Sequence, residues 1–170
     1  TVASHLAVTL AKQKQGRVLL VDTNIVHASV HRTFCVDAAP GLAEIAACGD
    51  GINAAIRSSS IKGLDFLCSG QAHCDLDQFS ETQAFADLLR HWRSEYSYVF
   101  FDAPPLESGS EAMAAARIAD GTLMVIEAEG VRWEVARRAV EQLTLNKAKV
   151  LGVILNKRRL YIPERIYRKL

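Results

Sequence analysis

The chain has 170 residues, 20 Lys and Arg against 19 Asp and Glu, and an apolar fraction of 49%. That length supports one sizeable hydrophobic core, and the near balance of charge gives no argument for nucleic acid as a partner. No apolar run approaches membrane-spanning length and no signal peptide is visible. Cys35, Cys48, Cys68 and Cys74 form no CxxC pair and no zinc-like spacing; with His73 nearby the ligands are still too few, so they read as reduced cytosolic thiols. The sequence opens on Thr1 with no initiator methionine and is read as a piece of a longer chain.

In chain order, Val2 to Lys12 predicts a helix whose apolar face is Val2, Ala3, Leu6, Ala7 and Leu10, ended by Gly16. Val18 to Val21 does not alternate, which fits a strand buried on both faces, with Asp22 at its tip. Thr23 to Ala39 reads as irregular or weakly helical, and Pro40-Gly41 punctuates it before a short helix over Leu42 to Ala47. Ile52 to Ile56 stays open between helix and strand. Leu64 to Cys68 reads as a short strand, and Gln71 to Gln78 as polar linker. Ser80 with Gln83 resembles a capping box opening a helix through about Ser94, with Phe85, Leu88, Leu89 and Trp92 inward.

Tyr98 to Phe101 is the next strand, and Pro104-Pro105 stiffens its exit. Ser110 to Ile118 predicts an alanine-rich helix and Leu123 to Ile126 another buried strand. Trp133 to Leu145 predicts an amphipathic helix with Val135, Ala136, Ala139, Val140 and Leu143 inward. Val150 to Leu155 is the last strand, tipped by Asn156-Lys157, and Pro163 opens a short final helix in a basic tail. Strands alternating with helices predict an α/β fold: an open, mostly parallel sheet with helices on both faces and no separate second domain. The opening helix needs a parent strand in a βαβ unit. That strand and the loop joining it to Thr1 are expected upstream, and a sheet without that central strand should show a gap.

In such sheets, ligands bind beyond the carboxyl ends of the strands. Asp22, Asp102 and Asn156 are predicted to reach that edge. An aspartate there can hold magnesium, directly or through water, while the ion bridges phosphate oxygens; the alternative is a carboxylate that merely caps a loop or helix. Pro104-Pro105 after Asp102 favours the first reading there, and Pro105 is counted among the nucleotide-binding residues. Thr1 either approaches the α-phosphate side of a nucleotide or is a simple N-cap or a disordered end. Asn156 can read a purine edge, since its amide both donates and accepts, and Lys157 can lay its stem beside the base; a surface turn is the alternative, and the residues leave both open. Asn24 cannot act as a general base at neutral pH. His27 and His31 lie four apart, but read as surface or loop histidines. Trp133 with Arg132, Arg137 and Arg138 reads as a half-buried indole on a solvated basic face.

Arg17 through Phe34, with Pro40-Gly41-Leu42, Phe101-Asp102-Ala103-Pro104-Pro105 and Leu155-Asn156-Lys157, resembles the cytoplasmic domain of the bacterial tyrosine kinases (BY-kinases) of capsular and exopolysaccharide synthesis. These belong to the P-loop ATPases that include the cell-division and plasmid-partition ATPases, and the resemblance covers nearly the whole chain. It implies a three-layer P-loop domain over residues 1–157, without its first strand and phosphate loop, and a basic tail over 158–170. It further implies ATP and magnesium as cofactors, with Asp22 and Asp102 as catalytic and metal-holding residues and Asn156 at the adenine. Implied partners are a membrane-embedded polysaccharide chain-length regulator and other copies in a homo-oligomer, at the cytoplasmic face of the inner membrane. Three departures stand out: no phosphate loop, Asn24 for a second aspartate, and Val26-His27-Ala28 for a basic pair and proline. They make a degenerate, regulatory scaffold the alternative function. A partition-type ATPase switch is a further alternative; a dehydrogenase lacks its glycine-rich fingerprint here.

Overall fold

Val18-Leu19-Leu20-Val21-Asp22 forms a strand, β1 (Val18–Asp22), with every residue buried. Its side chains alternate between two cores, as a pleated strand must. Leu19 and Val21 enter one core with Phe85, Leu88 and Trp92; Val18 and Leu20 enter the other with Ala7, Ala11 and Val30. That is the three-layer arrangement expected of an unbroken apolar run. The structure is a computed structural model and describes residues 1–14, 16–48, 55–72 and 75–158. His73, Cys74, most of Ile52 to Ile56 and the tail helix expected from Pro163 lie outside the described residues.

The elements before β4 are α1 (Val2–Lys12), β1, α2 (Val30–Phe34), α3 (Leu42–Cys48), β2 (Ile56–Ser58), β3 (Leu64–Leu67), α4 (Leu76–Ser80) and α5 (Gln83–Glu95). They are followed by β4 (Tyr98–Asp102), a 3-10 turn at Leu106–Ser108, α6 (Glu111–Ile118), β5 (Thr122–Glu127), α7 (Trp133–Leu145) and β6 (Val150–Asn156). The chain forms two compact units, Thr1–Ile118 and the part from Ala119 onward. The first holds a four-stranded sheet in the order β2-β3-β1-β4, and the second a two-stranded sheet of β5 and β6. All pairs are parallel except β2 with β3. The mostly parallel α/β reading therefore holds, with the strands divided between two sheets.

In the first unit, α1 packs across β1, β3 and β4. Gly16 makes the turn between α1 and β1: its φ is +110°, and a Cβ there would meet the Ser97 hydroxyl at 2.0 Å. The amino-terminal edge of the sheet carries a buried charge. Asp65 accepts from the Arg17 guanidinium at 2.8 Å, the Tyr96 hydroxyl at 3.1 Å and the Ser58 hydroxyl at 2.7 Å. Burial pushes Asp65 up, but these three donors overcome it and hold the carboxyl below its ordinary value. Burial and the Asp65 charge together push the Tyr96 phenol up to about 12.

At the other end of β3, Leu42 and Ala43 donate to the Cys68 and Ser69 carbonyls, both at 2.8 Å. Glu44 accepts from the N–H groups of Gly41, Gln71 and Ala72 at 2.7, 2.8 and 2.9 Å. The two loops approach so closely that a Cβ on Gly41 would lie 2.3 Å from the Gly70 nitrogen.

Several local expectations change. The stretch read as linker holds α4, because Asp75 caps it by accepting from Gln78 and because Leu76 and Phe79 are buried. Ser80 therefore ends one helix, and Thr82 caps α5 by accepting from Phe85. In the second unit β5 buries only Met124; Leu123 and Val125 are exposed. On α7, Leu143 is buried and Ala136, Ala139 and Val140 are half-buried, but Val135 faces solvent. Trp133 is 65% exposed rather than half-buried, with the Arg137 guanidinium 5.9 Å over its ring. No helix among the described residues is long and apolar enough to cross a membrane.

Candidate functional site

Two acidic strand tips stand side by side. Asp22 ends β1, Asp102 ends β4, and the parallel register pairs them directly. Phe100 belongs to the core on the α1 side and Phe101 to the opposite one. By the same alternation Asp102 points to the α1 side, as does Asp22 two residues after Leu20. Helix α1 runs back along β1 through a short turn. From its start at Val2 its 11 residues rise about 16 Å, about the length of the five residues of β1. At that start Thr1 is an N-cap: its Oγ1 accepts from the Ser4 N–H at 3.2 Å.

The two aspartates differ in their surroundings. Asp22 is fully buried, and both its oxygens are engaged by backbone. Oδ1 accepts from Asn24 at 3.1 Å; Oδ2 accepts from Ser29 at 2.8 Å and Val30 at 2.9 Å. The carboxylate thus folds the loop 23–29 over the strand tip and caps α2. Burial pushes its pKa up; the N–H groups of Val30, Ser29 and Asn24 pull the other way, and the neighbouring Asp102 charge adds to the rise. Asp102 is half-buried. Its Oδ2 accepts from the Ser29 hydroxyl at 3.2 Å, and Oδ1 has no hydrogen-bond donor among the described residues. Its backbone carbonyl accepts from both the amide and the hydroxyl of Thr23, each at 3.1 Å.

Ser29 therefore touches both acids, through its amide and through its hydroxyl. Sequence reasoning missed it, and Thr23, because both contacts depend on how the irregular loop folds. The visible signal was a serine just ahead of a short helical run, normally an N-cap. Here Ser29 is the N-cap of α2, but its side chain makes no capping bond. Asn24 serves the same loop, its Oδ1 accepting from the His27 N–H at 2.9 Å. His27 lies in that loop and His31 inside α2, so the two do not share a helix.

The remaining predicted residues fall elsewhere. Pro105 is exposed and begins the 3-10 turn after β4. Asn156 and Lys157 belong to the second unit, at the carboxyl end of β6. There Asn156 pairs in register with Glu127, and the Lys157 ammonium lies 3.0 Å from the Glu127 carboxylate. Both residues are exposed. Glu127 is the partner that sequence reasoning did not supply.

The pair of aspartates fits magnesium by its chemistry. Magnesium takes hard oxygen ligands, keeps several waters, and needs only one or two carboxylates beside a phosphate. Asp102 offers an oxygen without a donor among the described residues, and Asp22 adds negative charge behind it. Among the described residues no group of three His, Cys, Asp or Glu gathers, so a ligand set made wholly of such protein side chains is not built here.

The chain is 31% identical over 160 residues to the tyrosine-protein kinase YwqD of Bacillus subtilis, covering 94% of this chain and 67% of that one. The chain belongs to the bacterial tyrosine-protein kinases. It is also 27% identical to the tyrosine-protein kinase ptk of Acinetobacter johnsonii, but spans only 20% of that protein's length. Among solved structures, the chimerical protein CapA2B2 superposes with a TM-score of 0.86 at 26% identity, covering 93% of this chain and 70% of that one. The kinase domain of the Escherichia coli tyrosine kinase ETK gives 0.85 at 26%, covering 95% and 64%. MinD from Pyrococcus horikoshii, solved with Mg-ADP, shares the fold at 18% identity with a TM-score of 0.71, covering 98% and 70%. No protein-family profile matches the chain.

Proposed function

We propose that this chain is the body of an ATP-dependent protein-tyrosine kinase that regulates exopolysaccharide polymerisation and export. The observation that carries the reading is the register pairing of Asp22 with Asp102 on the α1 face of the sheet. Kinase chemistry is mostly positioning and charge neutralisation. Magnesium, when bound, would supply that neutralisation. Asp102 would hold it, through Oδ1 or an intervening water. Asp22, with both oxygens occupied by N–H groups, would act from behind by fixing the loop 23–29 and by its charge.

The start of α1 at Thr1 would face the phosphates. Pro105 would flank the nucleotide; adenine reading by Asn156 and a place for Lys157 beside the base are roles carried by the family resemblance alone, and the basic segment 158–170 would form a tail beyond the kinase body of residues 1–157. The relatives' names support a tyrosine-kinase activity. The membrane chain-length regulator, the homo-oligomer and a position at the inner face of the membrane belong to this proposal.

One observation favours a second reading. Asn24 stands where the resemblance expects a second acid, and its side chain is occupied in a turn with His27. A non-catalytic scaffold is the reading that follows. Calorimetry of the full-length protein with Mg-ATP separates the two: micromolar binding followed by phosphotyrosine formation supports the kinase, and absence of binding supports the scaffold.

A further inference from the structure

Serine is among the best N-cap residues because its hydroxyl accepts from an N–H of the first helical turn. Ser29 occupies the N-cap of α2 without doing so. The capping is done by Asp22, whose Oδ2 takes the Ser29 and Val30 amides. The Ser29 hydroxyl instead reaches across to β4 and donates to Asp102 Oδ2. One residue thus joins two strand tips by two separable bonds, one from its backbone and one from its side chain.

We propose that Ser29 is a positioning residue that fixes which oxygen of Asp102 is offered to a divalent cation. With Oδ2 engaged by the hydroxyl, Oδ1 remains as the oxygen without a donor among the described residues. The inference rests on the reading of Asp102 as a magnesium carboxylate. A donor held on one oxygen of a ligating carboxylate orients it, as outer partners of metal ligands do elsewhere. Asp22 anchors the donor: its buried carboxylate holds the Ser29 backbone at 2.8 Å, so the hydroxyl approaches Asp102 from a fixed position. Through this chain the loop 23–29 and the metal site become one mechanical unit.

The substitution Ser29→Ala removes the hydroxyl and keeps the amide bond to Asp22, so it cuts only the link to Asp102. Ser29→Gly does the same with a different backbone, and Ser29→Thr restores the hydroxyl. The experiment titrates Mn2+ into the full-length proteins with saturating ADP, counting free ion by electron paramagnetic resonance, and measures ADP affinity separately in EDTA. The expected result is Mn2+ binding weakened roughly ten-fold in Ser29→Ala and Ser29→Gly. Ser29→Thr should stay near wild type, and ADP affinity in EDTA should be unchanged. A loss of folding stability alone, as from a missing helix cap, would leave the Mn2+ constant where it was. Wild-type Mn2+ affinity in Ser29→Ala, or a Ser29→Thr protein as weak as Ser29→Ala, overturns the role of Ser29 and leaves the kinase reading standing. A wild-type protein that binds neither Mn2+ nor ADP overturns both.

Discussion

Removing the Asp22 carboxylate should damage the protein as a fold before it damages it as an enzyme. Its three backbone donors are one buried N–H, Val30, and two part-buried ones, Asn24 and Ser29. In Asp22→Ala all three lose their acceptor. A buried donor left unsatisfied costs about 1–3 kcal/mol, and water reaches the part-buried two, so a loss of about 2–4 kcal/mol is expected. Relief from burying the charge, which pushes Asp22 up, works against this and sets the lower end. Asp22→Asn keeps an oxygen for Ser29 and Val30 and turns its NH2 toward the Asn24 amide, so one bond is lost and about 1 kcal/mol with it. Equilibrium urea unfolding followed by tryptophan fluorescence reads both values; a shifted midpoint with an unchanged slope reports stability alone. An Asp22→Ala protein within about 0.5 kcal/mol of wild type, the usual range of a surface substitution, would refute the assignment of Asp22 to loop and helix capping.

Other elements give independent tests. Asp65 is held below its ordinary value, so its contribution to stability is present above about pH 4 and is lost as the pH falls through the depressed folded value. Asp65→Asn should therefore flatten the acid limb of the stability curve, measured by urea midpoints against pH. The Tyr96 phenol, pushed up to about 12, contributes stability that is full below about pH 10 and is lost between the two values. Tyr96→Phe should remove that alkaline loss, which pH-dependent melting will show. Gly41→Ala places a Cβ 2.3 Å from the Gly70 nitrogen and 2.4 Å from the Cys68 carbonyl, both rigid backbone atoms. A loss of about 1–3 kcal/mol is expected from such overpacking, and an unchanged melting temperature would contradict the interlocked loops.

What the sequence disclosed depended on how local each feature is. The run Val18 to Val21 announced a strand buried on both faces because no polar residue interrupts it, and the two cores on either side of β1 are the result. Asp22 and Asp102 could be placed together because each ends such a run and parallel strands end at one edge. Helix α4 was hidden because its cap, Asp75, and its polar residues look like linker, and only Leu76 and Phe79 mark its inner face. Ser29 was hidden for a different reason. Its role is set by a loop that closes on a carboxylate seven residues back and on another seventy-three residues ahead. No periodicity or spacing reports such contacts. The exposure of Leu123, Val125 and Val135 was equally out of reach, since apolar character predicts a buried face but not how much of it is covered.

The most direct test is phosphotyrosine formation by the full-length protein with Mg-ATP, compared between wild type and Asp102→Asn. The expected result is tyrosine phosphorylation in the wild type and a rate lowered roughly 100-fold or more in the variant. Transfer that proceeds equally in both, or a wild type that binds no Mg-ATP, would contradict the assignment of the paired strand tips as the kinase site.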